Sequence, residues 1–192
     1  MRRSILIAAM IVTLSARPPL QAEESIPLVP VDAVESSYQT VDGDTVSLAE
    51  YRGSVVLLHF FASWCGECII EAPSLARLSR SMESADFEVI GVVVDDDPVS
   101  AKNFVVSQRI PFPVIVDTNG ALKKRFLVRG VPMTTMLNRE GKQALFIDPA
   151  TGKSVSRIDG ARAWDSSEAR RSIEHALGGV GDSPKAATVS LR

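Results

Sequence analysis

Residues Val55-Val56-Leu57-Leu58-His59-Phe60-Phe61 run almost directly into Trp64-Cys65-Gly66-Glu67-Cys68, and this junction limits the possible folds more than any other segment. A run that is apolar at alternate and intervening positions alike reads as a strand covered on both faces, at the centre of a sheet. The two cysteines that follow are the only ones in the chain. Two residues apart at a helix start, their sulfurs share the first turn, so a disulfide closes there without distant backbone movement. The positive end of the helix also favours the thiolate, which is the nucleophile of disulfide exchange. A strand leading into a helix is the context in which a CxxC reads as a redox pair. Half of a zinc site and a structural clip are the competing readings. Zinc takes about four ligands, and His59 and His175 add no zinc-like spacing to the cysteines. A disulfide across so short a loop would constrain the unfolded chain little.

The beginning of the chain suggests where such chemistry would act. Met1-Arg2-Arg3 is basic, Ile5 to Leu14 is an apolar-leaning run, and Leu20-Gln21-Ala22 offers a small residue for cleavage. This is the layout of a secretory signal over residues 1–22, with an apolar run too short to span a bilayer. The periplasm is therefore the expected compartment, and membrane attachment is expected only if the segment stays uncleaved. No cysteine lies near the cleavage point, which excludes lipid attachment there. Removing Arg2, Arg3 and Arg17 from the 21 basic residues leaves 18 against 23 acidic ones, a net charge of −5. So acidic a domain is not expected to bind nucleic acid.

Residues 23–37 are rich in Pro, Glu and Ser and read as a linker, and residues 179–192 read as a disordered tail. The 38–178 stretch between them is long enough to bury one core. It opens with a β-hairpin over Tyr38 to Leu48, turning at Asp42-Gly43. Strand Val55–Phe61 follows, then a helix from Cys65 to about Met82 with Pro73 inside it, and strand Phe87–Val94. Asp97-Pro98 caps and opens a helix to about Gln108, with Ala101, Phe104 and Val105 on one face. A strand at Phe112–Val116 and a short helix at Ala121–Phe126 come next. Strands Thr134–Leu137 and Gln143–Ile147 flank the turn Asn138 to Gly141. A strand at Val155–Ile158 and a helix capped by Ser166 complete the domain, with Ala169, Ile173, Ala176 and Leu177 facing inward. The alternation predicts an α/β domain, a mixed central sheet with helices on both faces.

The hairpin leading into the CxxC, Glu71-Ala72-Pro73 beyond it, the segment through Pro111-Phe112-Pro113, and Gly130-Val131-Pro132 together resemble the thioredoxin superfamily. Within it they are similar to the TlpA/ResA-like periplasmic thiol–disulfide oxidoreductases, over roughly residues 38 to 178. The resemblance implies a thioredoxin-like fold with an extra βα insertion, no cofactor, and a cis Pro132 beside the disulfide. It also implies a functional glutamate at Glu71, and disulfide-containing exported proteins as partners, with a membrane electron donor if the direction is reduction. Three positions depart from that pattern. Glu67 stands where many relatives carry proline, and His59 where thioredoxin has a buried aspartate. Gly91 falls where thioredoxin has a lysine.

Roles follow from the chemistry. Cys65 at the helix start is expected to be the exposed attacking thiol, and Cys68 the buried resolving one. Glu71, three residues on, shares the Cys68 face; buried there it would titrate high and exchange protons with the pair. Trp64 is expected as an apolar wall beside the sulfur, and Val131 as a backbone edge that pairs with a substrate strand before Pro132. Glu67 would oppose thiolate formation, and His59 is either a satisfied core residue or a proton relay. An exported reductase of protein disulfides, including cytochrome c precursors, is the leading expectation. A peroxiredoxin-like peroxidase and a copper- or metal-handling module are the alternatives. No threonine precedes Cys65 at the peroxidase spacing, and Sco-type copper proteins space their cysteines one residue further apart.

Overall fold

The computed structural model describes residues 36–83, 86–94 and 97–178. The signal segment, almost all of the linker and the C-terminal tail expected from the sequence lie outside these residues. Among them no helix is long and apolar enough to cross a membrane.

Strands β1 (Ser37–Gln39) and β2 (Thr45–Ser47) form the antiparallel opening hairpin. The fold is then built on β3 (Val55–Phe61), every residue of which is buried. β3 lies parallel to β4 (Phe87–Val93), which lies parallel to β5 (Val114–Val116). On its other side β3 pairs antiparallel with β6 (Met133–Leu137). The helices are α1 (Gly66–Ser81), α2 (Pro98–Ser107), α3 (Ala121–Arg125) and α4 (Ser167–Leu177).

Two cores explain why β3 is apolar throughout. Val55, Leu57 and Phe61 face one cluster with Cys68, Leu75, Leu78, Phe104, Trp164 and Ile173. Val56, Leu58 and Phe60 face the other, with Leu48, Ile90, Ile115, Leu122 and Phe126. His59 alternates with Leu57 and Phe61 and so belongs to the face that α1 covers.

Helix starts follow their capping signals. Asp97 accepts from the Val99 and Ser100 N–H groups, and Ser166 from Ala169. Cys65 caps α1, its Sγ 3.2 Å from the Cys68 N–H. Pro73 sits inside α1 as expected, on its exposed side.

Four boundaries differ from the sequence reading. The hairpin starts at Ser37, one residue inside the expected linker. β5 begins at Val114 rather than Phe112, after Pro113, whose nitrogen carries no hydrogen for a ladder. The expected strand Gln143–Ile147 is two pieces, β7 (Gln143–Ala144) and β8 (Phe146–Ile147), broken at the exposed Leu145. β7 extends the sheet beside β6, whereas β8 pairs with β9 (Ser154–Val155) in a small separate ribbon. Val155–Ile158 is likewise split, because β10 (Arg157–Asp159) leaves that ribbon to pair with β6. At the break the Ser156 carbonyl accepts from the side chains of Thr135 and Gln143.

Candidate active site

Cys65 and Cys68 are joined as a disulfide with 5.2 Å between their Cα atoms. Cys65 is 7% exposed and Cys68 1%, so the order of accessibility is as expected but Cys65 is not an open thiol. The Cys65 sulfur packs down onto the turn it caps and lies 3.5 Å from the Val131 carbonyl, which is what covers it. Trp64 is 72% exposed, which removes it from the core and leaves its indole on the surface next to the cysteine pair. Ile69 and Ile70 on the following turn are exposed too, so apolar surface continues along α1.

The Val131–Pro132 bond is cis. Pro132 itself is buried and its carbonyl accepts from the Gly160 N–H at 2.9 Å. Half-buried Val131, rather than the proline ring, is thus what this loop presents beside Cys65.

Glu71 is 2% exposed on the same face of α1 as Cys68. Its Oε1 accepts from the Arg162 backbone N–H at 3.0 Å and from the Trp164 indole N–H. Ser74 secures the same loop, its Oγ 2.8 Å from the Glu71 carbonyl and accepting from the Trp164 N–H. Burial pushes the Glu71 carboxyl up to about 7, against the two hydrogen bonds that favour its charged form. The exposed Glu67, one turn earlier, adds to the upward push.

His59 is buried on β3, its Nδ1 2.9 Å from Thr134 Oγ1 and its Nε2 3.8 Å from Glu71 Oε2. Burial holds its imidazole down to about 3, so the ring is neutral near pH 7. Gly91 lies opposite His59 on β4. A Cβ there would meet Phe61 Cε1 at 2.9 Å and Val114 Cγ2 at 3.0 Å, so a lysine at this place does not fit.

Arg162, Trp164, Ser74 and Thr134 were not singled out from the sequence. Arg162 and Trp164 are 91 and 93 residues from the carboxylate they hold, and only the path of β10 brings them over α1. Among the described residues no cluster of three or more His, Cys, Asp or Glu side chains is placed to hold a metal ion.

The fold and the CxxC at the start of α1 define the thioredoxin-like class, a mixed sheet with a cysteine pair beside a cis-proline loop. The chain belongs to the AhpC/TSA family, whose profile matches residues 29–150. It is 30% identical over 111 residues to the thiol-disulfide oxidoreductase ResA of Bacillus subtilis, covering 58% of this chain and 62% of that one. It is 26% identical over 139 residues to the sporulation thiol-disulfide oxidoreductase A of the same organism, covering 70% of this chain and 82% of the relative. The solved structure of a thioredoxin-family thiol:disulfide interchange protein from Chlorobium tepidum superposes with a TM-score of 0.59 at 25% identity, covering 74% and 93% of the two chains. The chain spans about three-fifths of the length of the ResA relatives it matches.

Proposed function

We propose that the chain is an exported thiol–disulfide oxidoreductase that reduces disulfides in other periplasmic proteins. The observation that carries this is the Cys65–Cys68 pair at the start of α1, with Cys65 the less buried of the two residues and a buried carboxyl on the Cys68 face of the helix. The names of ResA and of the sporulation oxidoreductase support the same reaction class.

In the reducing direction the Cys65 thiolate attacks one sulfur of the substrate disulfide, and the other substrate sulfur leaves as a thiolate. Cys68 then loses its proton to Glu71 and attacks Cys65 Sγ. The mixed disulfide breaks, the second substrate thiolate departs, and the Cys65–Cys68 disulfide closes. Two electrons pass to the substrate, and a membrane electron donor must restore the dithiol in an oxidising compartment. Trp64 and Val131 would hold the substrate segment, the latter by backbone pairing in front of Pro132. Haem-attachment CxxCH polypeptides of cytochrome c precursors fit this substrate class.

Cys68→Ser leaves the attacking sulfur without its resolving partner, so the variant is expected to accumulate mixed disulfides with exported proteins. Cys65→Ser is expected to trap none. Identifying the trapped chains separates cytochrome precursors from a broad set and reveals the donor. A Cys68→Ser variant that traps nothing in either reducing or oxidising growth would overturn the reading. The AhpC/TSA match favours a thiol peroxidase as second reading, and rapid peroxide consumption by the reduced protein would select it.

A further inference from the structure

The two oxygens of Glu71 are not equivalent. Oε1 accepts two hydrogen bonds, from the Trp164 indole and from the Arg162 backbone N–H. Oε2 is buried and has no hydrogen-bond partner among the described residues. An oxygen that already accepts two N–H donors is a poor place for a proton, and a buried unpartnered oxygen is costly as a bare anion. The proton of the neutral carboxyl therefore belongs on Oε2. That atom faces His59 Nε2 across 3.8 Å. The distance is longer than a hydrogen bond, so the two atoms face each other as neighbours rather than as a formed pair.

The imidazole is held in place from its far side. Nδ1 is 2.9 Å from Thr134 Oγ1, and the ring stacks on Phe61 with 5.8 Å between centroids and 17° between planes. In the tautomer whose Nδ1–H donates to Thr134 Oγ1, Nε2 is left as the acceptor on the side of Oε2.

We propose that Glu71 and His59 form one proton-holding unit, in which Trp164 and the Arg162 N–H occupy Oε1 and direct the exchangeable proton to Oε2, opposite His59 Nε2. His59 and Trp164 are positioning residues that act through the carboxyl. The unit deepens the oxidoreductase reading and rests on it for the source of the proton. When Cys68 attacks the mixed disulfide, the proton lost from its Sγ is the one the unit gains, and it leaves to solvent after the Cys65–Cys68 bond has formed. The charges facing the unit are few. Glu67 on α1 pushes the carboxyl up, and the Arg162 guanidinium, which favours its ionised form, is engaged by Asp148. β4 presents Gly91 to His59, and β6 presents the neutral Thr134.

The test is an NMR pH titration of the full chain in its disulfide form, where no thiol titrates, following the Glu71 carboxyl carbon and the His59 ring nitrogens. Both are expected to move with one midpoint, and the His59 movement is expected to vanish in Glu71→Gln. His59 nitrogens that stay fixed while Glu71 titrates, or that move unchanged in Glu71→Gln, would overturn the proposal. Trp164→Phe keeps a ring in the core and removes the indole donor, so it is expected to raise the Glu71 midpoint by about one pH unit. An unmoved or lowered midpoint would sink the assignment of the two oxygens. Trapping by Cys68→Ser is independent of these signals, so failure here leaves the oxidoreductase reading standing, and failure of trapping leaves the titration interpretable.

Discussion

At the scale of single residues, the burial of Glu71 has a measurable consequence near neutral pH. Its carboxyl titrates at about 7 in the fold against an ordinary 4.5, so the native state holds a proton that the unfolded chain releases. This group's contribution to stability is complete below about 4.5 and is lost as pH rises through 7. The full loss is on the order of 3 kcal/mol. Glu71→Gln keeps an acceptor for the Trp164 and Arg162 N–H groups and removes the charge. Urea unfolding should therefore show the variant gaining on the parent from pH 5 to pH 8, and the pH profile of thiol reactivity should shift with it. Parallel stability curves across that range would mean that the carboxyl is not buried as a proton acceptor. Burial of Glu71 could be anticipated, because its spacing from Cys68 places it on the face that packs on β3. The atoms that hold it could not, since Trp164 carries no local signal of the carboxylate it meets across 93 residues.

At the scale of elements, legibility follows the length of the buried run. β3, α1 and β4 show in the sequence because each buries several successive or periodic residues, and their observed ends agree within about two residues of those expected. Residues 143–159 read as two strands in the sequence because β7, β8 and β9 are two residues each, too short to display a period. Their breaks at Leu145 and Ser156 are set by which neighbour each piece pairs with. Gly91 is the most constrained point within an element. It sits mid-strand between β3 and β5, and an added Cβ would press on Phe61, Val114 and Phe112 at 2.9, 3.0 and 3.3 Å. Gly91→Ala is expected to cost ~1–3 kcal/mol through overpacking. The stack of Phe61 on His59 should carry part of that displacement to the site. Denaturant unfolding reads the first effect and the His59 ring signals the second. An alanine variant of unchanged stability would show that β4 and β5 part easily, which a sheet buried on both faces should not do.

At the scale of the whole molecule, one ion pair joins the ribbon after the sheet to the loop that closes over α1. The Arg162 guanidinium donates to both carboxylate oxygens of Asp148, at 2.8 and 3.1 Å, while its own backbone N–H goes to Glu71. Asp148 also receives the Ala150 N–H and the Thr151 hydroxyl, so its turn, the 160–164 loop and the helix that carries the cysteines form one connected frame. Nothing local to Asp148 announces this role, because its partner lies 14 residues on, past the change from the ribbon to the main sheet. The pair makes a definite prediction through its titration. Arg162 holds the Asp148 carboxyl down to about 2 from an ordinary 3.8, so the native state releases a proton that the unfolded chain keeps over that interval. This contribution is complete above about 3.8 and disappears as pH falls through 2. The guanidinium and the turn cover the carboxyl close to the surface, where solvent screens part of the attraction, and the contribution at neutral pH is on the order of 1–2 kcal/mol. Asp148→Asn keeps the turn's acceptor and its size but not the charge. Urea unfolding of this variant should show a deficit of about that size at pH 7, an equal one at pH 5 and roughly half of it near pH 3. A deficit that stays constant down to pH 3 would assign the loss to the geometry of the turn, and the frame would then rest on hydrogen bonds rather than on the charge of Arg162.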